Sequence, residues 1–163
     1  MSSSSLRIGL GVDAHRLAPG RRLLLGGIEI PHSRGLVGHS DGDVLLHAIA
    51  DALLGAAGEP DLGSLFSSGD ERWKGAASRA FIQEALSRLD RRGFRLVQVD
   101  SVIVAEEPRL ADHYEFIRQS VANLLGIPVD AVGVKAKTSD GMGFTGRGEG
   151  IFAQAVVVVE EQP

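Results

Sequence analysis

Two short segments of the chain combine histidine with aspartate at spacings that suit a metal ion. In the first, Asp13 and His15 are two residues apart, so both side chains fall on one face if the segment is a strand. In the second, His39, Asp43 and His47 follow one another closely. Three nitrogen and oxygen ligands with one open position are typical of catalytic zinc, and this mixed ligand set suits zinc better than calcium or magnesium.

The same residues also have a purely structural interpretation, which the spacing leaves open. Asp41 and Asp43 are suited to the N-terminus of a helix, and His47 would then be a partly buried helical histidine. His47 lies four residues after Asp43 and four before Asp51, so these three side chains share one helix face. On the metal-site interpretation, Asp51 orients the His47 ring from behind.

The composition narrows the chemistry further. The chain has no cysteine, which excludes disulfides, thiolate metal sites, iron–sulfur clusters and cysteine nucleophiles. Its net charge of −4 gives no broad attraction to nucleic acid or to an anionic membrane, so an anionic substrate needs local cations or a metal. No apolar run reaches the ~18 residues that a transmembrane helix requires. We therefore expect a cytoplasmic protein.

A period of two at the start of the chain predicts a strand over residues 6–15. Its apolar side chains share one face, which we expect to pack in the core: Leu6, Ile8, Leu10 and Val12. A helix is predicted over residues 40–57, with Ser40 as N-cap and Asp43 at the third position of a capping box. The remaining predicted elements are a hairpin over 23–30, helices over 74–92 and 111–125, and strands over 94–105, 132–137 and 151–159.

This order of elements predicts an α+β fold, a single-domain sandwich with one mixed β-sheet and helices on one face. No linker or internal repeat divides residues 1–163. Residues 1–5 are expected to form a disordered tail, and residues 6–160 the folded domain. The glycine-rich segments 58–72 and 138–150 are predicted to be long loops, which are often functional.

Four motifs occur in a fixed order and together resemble one known family. They are the segment with Asp13 and His15, the segment 39–47, the tripeptide 61–63 and the segment 143–150. In this order they resemble the 2-C-methyl-D-erythritol 2,4-cyclodiphosphate synthase family over residues 6–160. The resemblance implies a homotrimer around a threefold axis, with active sites at the subunit interfaces. Zinc would come from one subunit and the cytidine pocket from its neighbour.

The resemblance also implies a reaction and a set of site residues. The substrate, 4-diphosphocytidyl-2-C-methyl-D-erythritol 2-phosphate, cyclises and releases CMP in non-mevalonate isoprenoid biosynthesis. Asp13, His15 and His47 match the zinc ligands, while His39 and Thr138 match residues that stabilise the phosphates in the transition state. The substrate-binding residues implied are Ser40 near the phosphates, Asp61, Leu62, Gly63 and Phe66 at the methylerythritol, and Ala105, Pro108, Arg109 and Leu110 around the cytosine and ribose.

Some positions depart from the family pattern. Around Thr138, Lys137 stands where a small hydroxyl is usual, and contacts phosphate or points to solvent; Ser139 follows in the same segment. Asp140 keeps, one methylene shorter, the carboxylate expected to hold Mg²⁺ or Mn²⁺ on the substrate diphosphate. The segment 66–70 lacks the family's usual proline and first aspartate after the phenylalanine.

A further ligand is implied near the threefold axis. There Phe144 and Arg147 would line a cavity for an isoprenoid diphosphate. The alternative is that Arg147 and Glu149 pair across the trimer interface and Phe144 is a core residue. Both interpretations remain open at this point.

Two other functions compete with the cyclising lyase. The first is a zinc-dependent phosphohydrolase that uses water in the open metal position; no evident general base stands beside the ligands to support it. The second is a non-catalytic trimeric protein that binds zinc or an isoprenoid diphosphate, although a structural zinc usually has four protein ligands. In the cyclisation the nucleophile is the substrate's own phosphate, which fits a chain with no nucleophile motif.

Overall fold

The computed structural model of the chain describes residues 5–67 and 75–163. Residues 1–4 of the expected tail, the Ser68–Asp70 part of the unusual loop and the predicted helix start at Lys74 therefore lie outside the described residues. The seven strands are β1 Leu6–Pro19, β2 Leu23–Leu25, β3 Ile28–Ile30, β4 Arg34–Leu36, β5 Phe94–Val104, β6 Val132–Lys137 and β7 Gly150–Glu161. The α-helices are α1 Val44–Ala57, α2 Leu62–Leu65, α3 Ser78–Arg91, α4 Tyr114–Leu125 and α5 Gly143–Gly146.

Five strands form one mixed sheet in the order β4-β1-β7-β5-β6, and β2 and β3 form a separate hairpin. β7 is antiparallel to both β1 and β5, whereas β5 and β6 are parallel. Helix α1 packs on β1 and β7, with α3 against α1 and α4 against β6. The α+β class, the mixed sheet and the placement of the helices on one face of it are thus confirmed.

The core lies between this sheet and the helices. On β7, alternate residues from Ile151 to Val159 are buried, and they define the inner face of the sheet. In the β1–β7 register, Asp13 pairs with Ala153 and His15 with Ile151, so both polar side chains point inward toward α1. Because His47 lies on α1, the sheet register brings the two predicted segments to the same side.

The prediction that the apolar residues of β1 face the core is wrong. Ile8 is 71% exposed and Leu10 59%, whereas the small residues Gly9 and Gly11 lie inward. A Cβ at either glycine would overlap a backbone carbonyl of α1. The helix backbone packs directly on the strand, and only glycine allows this approach. The period of two was right, but the buried side of the strand is the other one.

Helix α1 begins at Val44, so the predicted start at Ser40 is also wrong. Asp43 is the N-cap, and its carboxylate accepts a hydrogen bond from the Leu46 N–H (3.0 Å). The same carboxylate accepts from the N–H groups of Gly26 (3.0 Å) and Gly27 (2.7 Å). Asp43 therefore takes the N-cap position that the capping box assigned to Ser40, and its carboxylate also ties the β2–β3 hairpin to α1. Burial raises the pKa of Asp43, and the three N–H donors oppose this rise.

Other boundaries differ in the two glycine-rich segments that were predicted to be loops. Within the segment predicted as loop 58–72, residues 62–65 form α2, and within 138–150 residues 143–146 form α5. The second long helix begins at Ser78. None of the helices in the described ranges has the length and apolar character to cross a bilayer.

Candidate active site

Asp13, His15 and His47 come together at the inner face of β1. Asp13 Oδ2 lies 2.7 Å from His15 Nε2 and 3.0 Å from His47 Nδ1, and the two ring nitrogens are 3.0 Å apart. Among residues 5–67 and 75–163, this is the group of His, Asp or Glu side chains that could hold a metal ion. The predicted ligand set is therefore assembled by the fold.

The donor set fits zinc. Zn–N and Zn–O bonds of about 2.0–2.1 Å with tetrahedral angles place ligand atoms about 3.3 Å apart. The three atoms are a few tenths of an ångström closer than this, and small side-chain rotations would open the space. The side chains are 28%, 17% and 10% exposed for Asp13, His15 and His47, so one side of the group stays open for a further ligand.

The second nitrogen of the His15 ring has a backbone partner. Nδ1–H donates to the carbonyl oxygen of Val37 at 2.7 Å, which leaves Nε2 with a free lone pair toward the metal position. Burial lowers the pKa of His15, but the hydrogen bond and charge of Asp13 outweigh it and raise the pKa above the usual value. For Asp13 the effect of burial has the opposite sign and raises the pKa. The hydrogen bonds from His15 and His47 more than offset this rise and hold the pKa of Asp13 below its usual range.

Two serines hold the other side of the His47 ring. Nε2 lies 2.9 Å from Ser78 Oγ and 3.0 Å from Ser40 Oγ. The Ser78 hydroxyl donates its single proton to the Asp41 carboxylate in a short hydrogen bond, so its oxygen accepts from His47 Nε2–H. This assignment leaves His47 Nδ1 unprotonated and available to a metal.

The prediction that Asp51 orients His47 finds no support in a hydrogen bond, because both ring nitrogens of His47 have other partners, Asp13 at Nδ1 and Ser78 at Nε2. Asp51 Oδ1 accepts a hydrogen bond from the N–H of Leu62 at 2.7 Å. Burial raises the pKa of Asp51, against the effect of this bond. Asp51 thus holds the start of α2, the segment implied to bind the sugar.

The sequence reasoning missed Ser78, the Val37 carbonyl and Phe81. The Phe81 ring packs edge-on against His47, with centroids 5.7 Å apart, and against Phe66 at 4.9 Å. A serine at a helix start was the one visible signal for Ser78. The contact to a backbone carbonyl leaves no trace in the sequence.

The implied methylerythritol segment forms a turn beside the metal ligands. Asp61 caps α2 and accepts from the N–H and the hydroxyl of Ser64, at 2.8 Å and 3.0 Å, which lowers its pKa. Gly63 is exposed, Leu62 is half-buried, and Phe66 reaches the metal side through its contact with Phe81. These residues therefore share one surface region.

A second region gathers the residues implied to hold the nucleotide. It is a cavity of about 260 Å³ between the ends of β5 and β6 and the start of α4. The Ala105 N–H donates to the Lys137 carbonyl at 2.9 Å, and this hydrogen bond joins the ends of β5 and β6 on either side of the cavity. Its lining comprises Ala105, Glu106, Pro108, Arg109, Leu110, Ala111, Tyr114, Ala136, Lys137 and Thr138. We call it the β5–β6 cavity.

The loop after β6 carries the remaining implied residues. Thr138 and Asp140 are exposed, and Asp140 has a left-handed backbone with φ 55°. Ser139 is hydrogen-bonded to Thr145 at 2.7 Å. His39 is also exposed, and its carbonyl accepts from the Gly75 N–H at 2.8 Å. A single carboxylate such as Asp140 fits a magnesium ion held mostly by substrate phosphates.

Arg147 and Glu149 pair within one chain. Arg147 Nε donates to Glu149 at 2.7 Å. Phe144 is 42% exposed, so in the single chain it is not a core residue. Phe144 and Glu149 line a cavity of about 280 Å³ beside His15 and Arg16.

Comparison with known proteins gives a consistent result. The model of the YgbB family matches residues 6–160. Proteins described as 2-C-methyl-D-erythritol 2,4-cyclodiphosphate synthase are similar along nearly their whole length. One from Syntrophomonas wolfei is 53% identical over 96% of this chain and 99% of its own. Another, from Burkholderia thailandensis, is 54% identical over 94% of each chain.

Solved structures agree with the fold. A 2C-methyl-D-erythritol-2,4-cyclodiphosphate synthase in its CDP-bound form is 40% identical, with a TM-score of 0.87, over 94% of this chain and 99% of that one. The bifunctional IspDF from Campylobacter jejuni is 36% identical with a TM-score of 0.93. The match covers 98% of this chain but only 43% of that longer protein.

Proposed function

Because this chain belongs to the YgbB family, whose members compared above are cyclodiphosphate synthases, we propose that it performs the same reaction. It converts 4-diphosphocytidyl-2-C-methyl-D-erythritol 2-phosphate to 2-C-methyl-D-erythritol 2,4-cyclodiphosphate and releases CMP. The observation that carries the proposal is the Asp13, His15 and His47 group, with Val37 and Ser78 fixing both ring tautomers. A cytoplasmic location stays part of the proposal.

The chemistry is the attack of one substrate phosphate on another, so electrostatic repulsion is the main obstacle. A zinc ion on the three ligands would act as a Lewis acid on the diphosphate and help to orient the incoming phosphate. The chain's own contribution is position and charge. His39 and Thr138, which are both exposed, would donate hydrogen bonds to phosphorus oxygens, and Lys137 at the β5–β6 cavity would add a positive charge.

The two ends of the substrate are held by different parts of the chain. The cavity lined by Ala105, Pro108 and Leu110 takes the nucleoside, in keeping with the relative solved with CDP. The α2 turn beside the metal ligands takes the methylerythritol hydroxyls, with Asp61 as acceptor. Holding both ends supplies proximity, which is worth up to about 7–11 kcal/mol in favourable cases. Asp140 would hold a Mg²⁺ or Mn²⁺ ion mainly through the diphosphate.

The outer face of the sheet supports assembly into a homotrimer. Ile8, Leu10 and Val12 of β1 are 71%, 59% and 49% exposed, and they pair with Val158, Val156 and Gln154 of β7. Contiguous apolar surface of this kind marks a protein interface. In the proposed trimer, as the family resemblance implies, the zinc ligands of one subunit would face the β5–β6 cavity of its neighbour.

An isoprenoid diphosphate near the threefold axis remains a secondary proposal. The cavity beside Phe144 supports an apolar ligand, while Arg147 is engaged with Glu149 rather than free. Titration with geranyl diphosphate tests it. Unchanged affinity in Arg147→Ala would exclude a role for this arginine.

The activity test follows CMP release and the cyclic product by ³¹P NMR, with zinc and magnesium supplied and with a chelator added. We expect Asp13→Asn and His47→Ala to lose zinc and activity together. Asp130→Asn is the control, because Asp130 is exposed and lies outside the candidate metal group, and this variant should keep both. Full zinc content in both ligand variants, measured by mass spectrometry, would contradict the site.

The same experiment in ¹⁸O water distinguishes a phosphohydrolase from a cyclising lyase. A phosphohydrolase gives a linear product that contains solvent oxygen. A cyclising lyase gives an unlabelled ring. If no CMP appears from the metal-loaded protein, a non-catalytic zinc-binding protein becomes the better interpretation.

A further inference from the structure

The loop after β6 begins with a tight turn over residues 139–142. The Met142 N–H donates to the Ser139 carbonyl at 3.0 Å, and the two residues between them, Asp140 and Gly141, have φ values of 55° and 73°. Positive φ at both central positions is typical of a type I′ turn, for which Asp-Gly is a favoured pair. The Asp140 side chain is exposed at this turn.

Helix α5 packs directly on the turn. A residue other than glycine adopts a left-handed backbone at a cost in free energy, and it keeps that backbone where the surrounding contacts enforce it. A Cβ at Gly146 of α5 would lie 2.2 Å from the carbonyl carbon of Gly141, so the two backbones are in close contact. The Gly146 N–H also donates to the Met142 carbonyl at 3.1 Å. The backbone of Asp140 is therefore supported by α5.

A buried side chain of α5 adds a further contact to the turn. Thr145 is 6% exposed, and its Oγ1 lies 2.7 Å from Ser139 Oγ, within hydrogen-bond distance. Because Thr145 is buried, its hydroxyl cannot exchange this partner for water without opening the packing around it. The pair ties the first residue of the turn to the buried side of α5.

The turn presents a carboxylate to any ligand at this surface. Asp140 is the residue proposed above to hold Mg²⁺ or Mn²⁺ on the substrate diphosphate, and a single carboxylate binds such an ion well only when it is held in place. We propose that Thr145 is a positioning residue, which acts through Ser139 to hold the turn in the form that presents Asp140 to the metal ion. The inference rests on the proposed function, because it concerns the metal ion of that reaction.

Calorimetric titration of the zinc-loaded protein with CDP, with and without Mn²⁺, tests the proposal. The ratio of the two CDP affinities measures what the ion contributes. Thr145→Val removes the hydroxyl and keeps the shape of the side chain. It should lower the ratio about two- to tenfold, the range for one neutral hydrogen bond, while the CDP affinity without Mn²⁺ stays unchanged. Thr145→Ser restores the hydroxyl and should restore the ratio.

Two further variants show whether Thr145 acts through the carboxylate. Asp140→Ala should remove most of the ratio, and adding Thr145→Val to it should then have no further effect. Ser101→Ala is the matched control, because Ser101 is also buried and donates a hydrogen bond, to the Gly133 carbonyl at 2.9 Å on the same sheet. This variant should keep the ratio even where urea unfolding shows a loss of stability.

An unchanged ratio in Thr145→Val would overturn the proposal, as would an equal loss of CDP affinity with and without Mn²⁺. A further loss when Thr145→Val is added to Asp140→Ala would also contradict it. These outcomes are distinct from a failure of the proposed function, which is read from CMP release by the unaltered protein. An unaltered protein that releases CMP but binds CDP equally with and without Mn²⁺ would overturn the Thr145 inference alone.

Discussion

At the scale of single residues, the candidate metal site depends on which ring nitrogen of each histidine carries a proton. His15 donates Nδ1–H to a backbone carbonyl, and His47 donates Nε2–H to a serine whose own proton goes to Asp41. The two histidines therefore present different nitrogens to the same point, next to the Asp13 carboxylate. Partners of this kind set ring orientation and ligand basicity.

Ser78 is the sharpest test of this arrangement. Ser78→Ala removes one of the two serine oxygens within hydrogen-bond distance of His47 Nε2, leaving Ser40 Oγ at 3.0 Å, and it leaves Asp41 without its hydroxyl donor. We expect zinc affinity to fall about 10–100-fold, as for other residues that orient metal ligands. Competition with a chelating dye measures it. Ser87→Ala, an exposed serine on the same helix, should leave the affinity unchanged; equal effects would mean that the loss comes from helix α3 and not from the ring.

The pKa of His15 gives zinc binding a defined pH dependence. Because this pKa is raised, the metal-free protein keeps a proton on His15 below it, and zinc must displace that proton. Affinity should therefore fall as the pH drops through the raised pKa, by about tenfold per pH unit for one proton. Calorimetry in buffers of different ionisation enthalpy measures the proton release. No release below this pKa would contradict the assignment of His15 as a ligand.

At the scale of elements, the close approach of β1 and α1 positions the site. Gly9 and Gly11 let the strand rest on the helix backbone, and this contact brings Asp13 and His15 toward His47. Asp43 fixes the other end by capping α1 and holding the hairpin at Gly26 and Gly27.

Gly11→Ala tests the contact. Its methyl group would overlap the Ala48 carbonyl, so the strand must move away from α1. We expect destabilisation by about 1–3 kcal/mol or more, as in overpacked cores, measured by urea unfolding. The matched change Gly55→Ala lies in α1, where a Cβ would meet only the Leu10 carbonyl oxygen, at an ordinary contact distance of 3.8 Å. It should stabilise by about 0.5–1 kcal/mol through helix propensity. Equal stability of the two variants would contradict the packing argument.

At the scale of the whole molecule, the sheet is two-sided, and the single chain covers one side. Helices bury the inner face, whereas Ile8 and Leu10 lie on an outer face that residues 5–67 and 75–163 leave exposed. In the proposed trimer this face becomes a core.

Ile8→Lys combined with Leu10→Lys should dissociate the trimer, because burying two charges at an apolar interface is costly. Light scattering coupled to size-exclusion chromatography gives the mass. We expect a monomer with intact zinc ligands and little activity. Phe116→Lys is the control, since this residue is 67% exposed but lies on α4, away from the outer face. If the double variant keeps the mass of the unaltered protein, the outer face is not the interface.

The sequence alone determined the ligand types, the alternation along β1, the element order and the family motifs, because these depend on local spacing. It could not decide which side of β1 is buried, since a period of two fits both sides equally well. Nor could it pair His47 with Ser78, because packing between α1 and α3 brings together two residues that lie about thirty positions apart in the chain. Tertiary structure alone brought Asp13, His15 and His47 together and left the apolar residues of β1 on the outer face, because the backbone of α1 packs on Gly9 and Gly11 and so decides which side of the strand is buried.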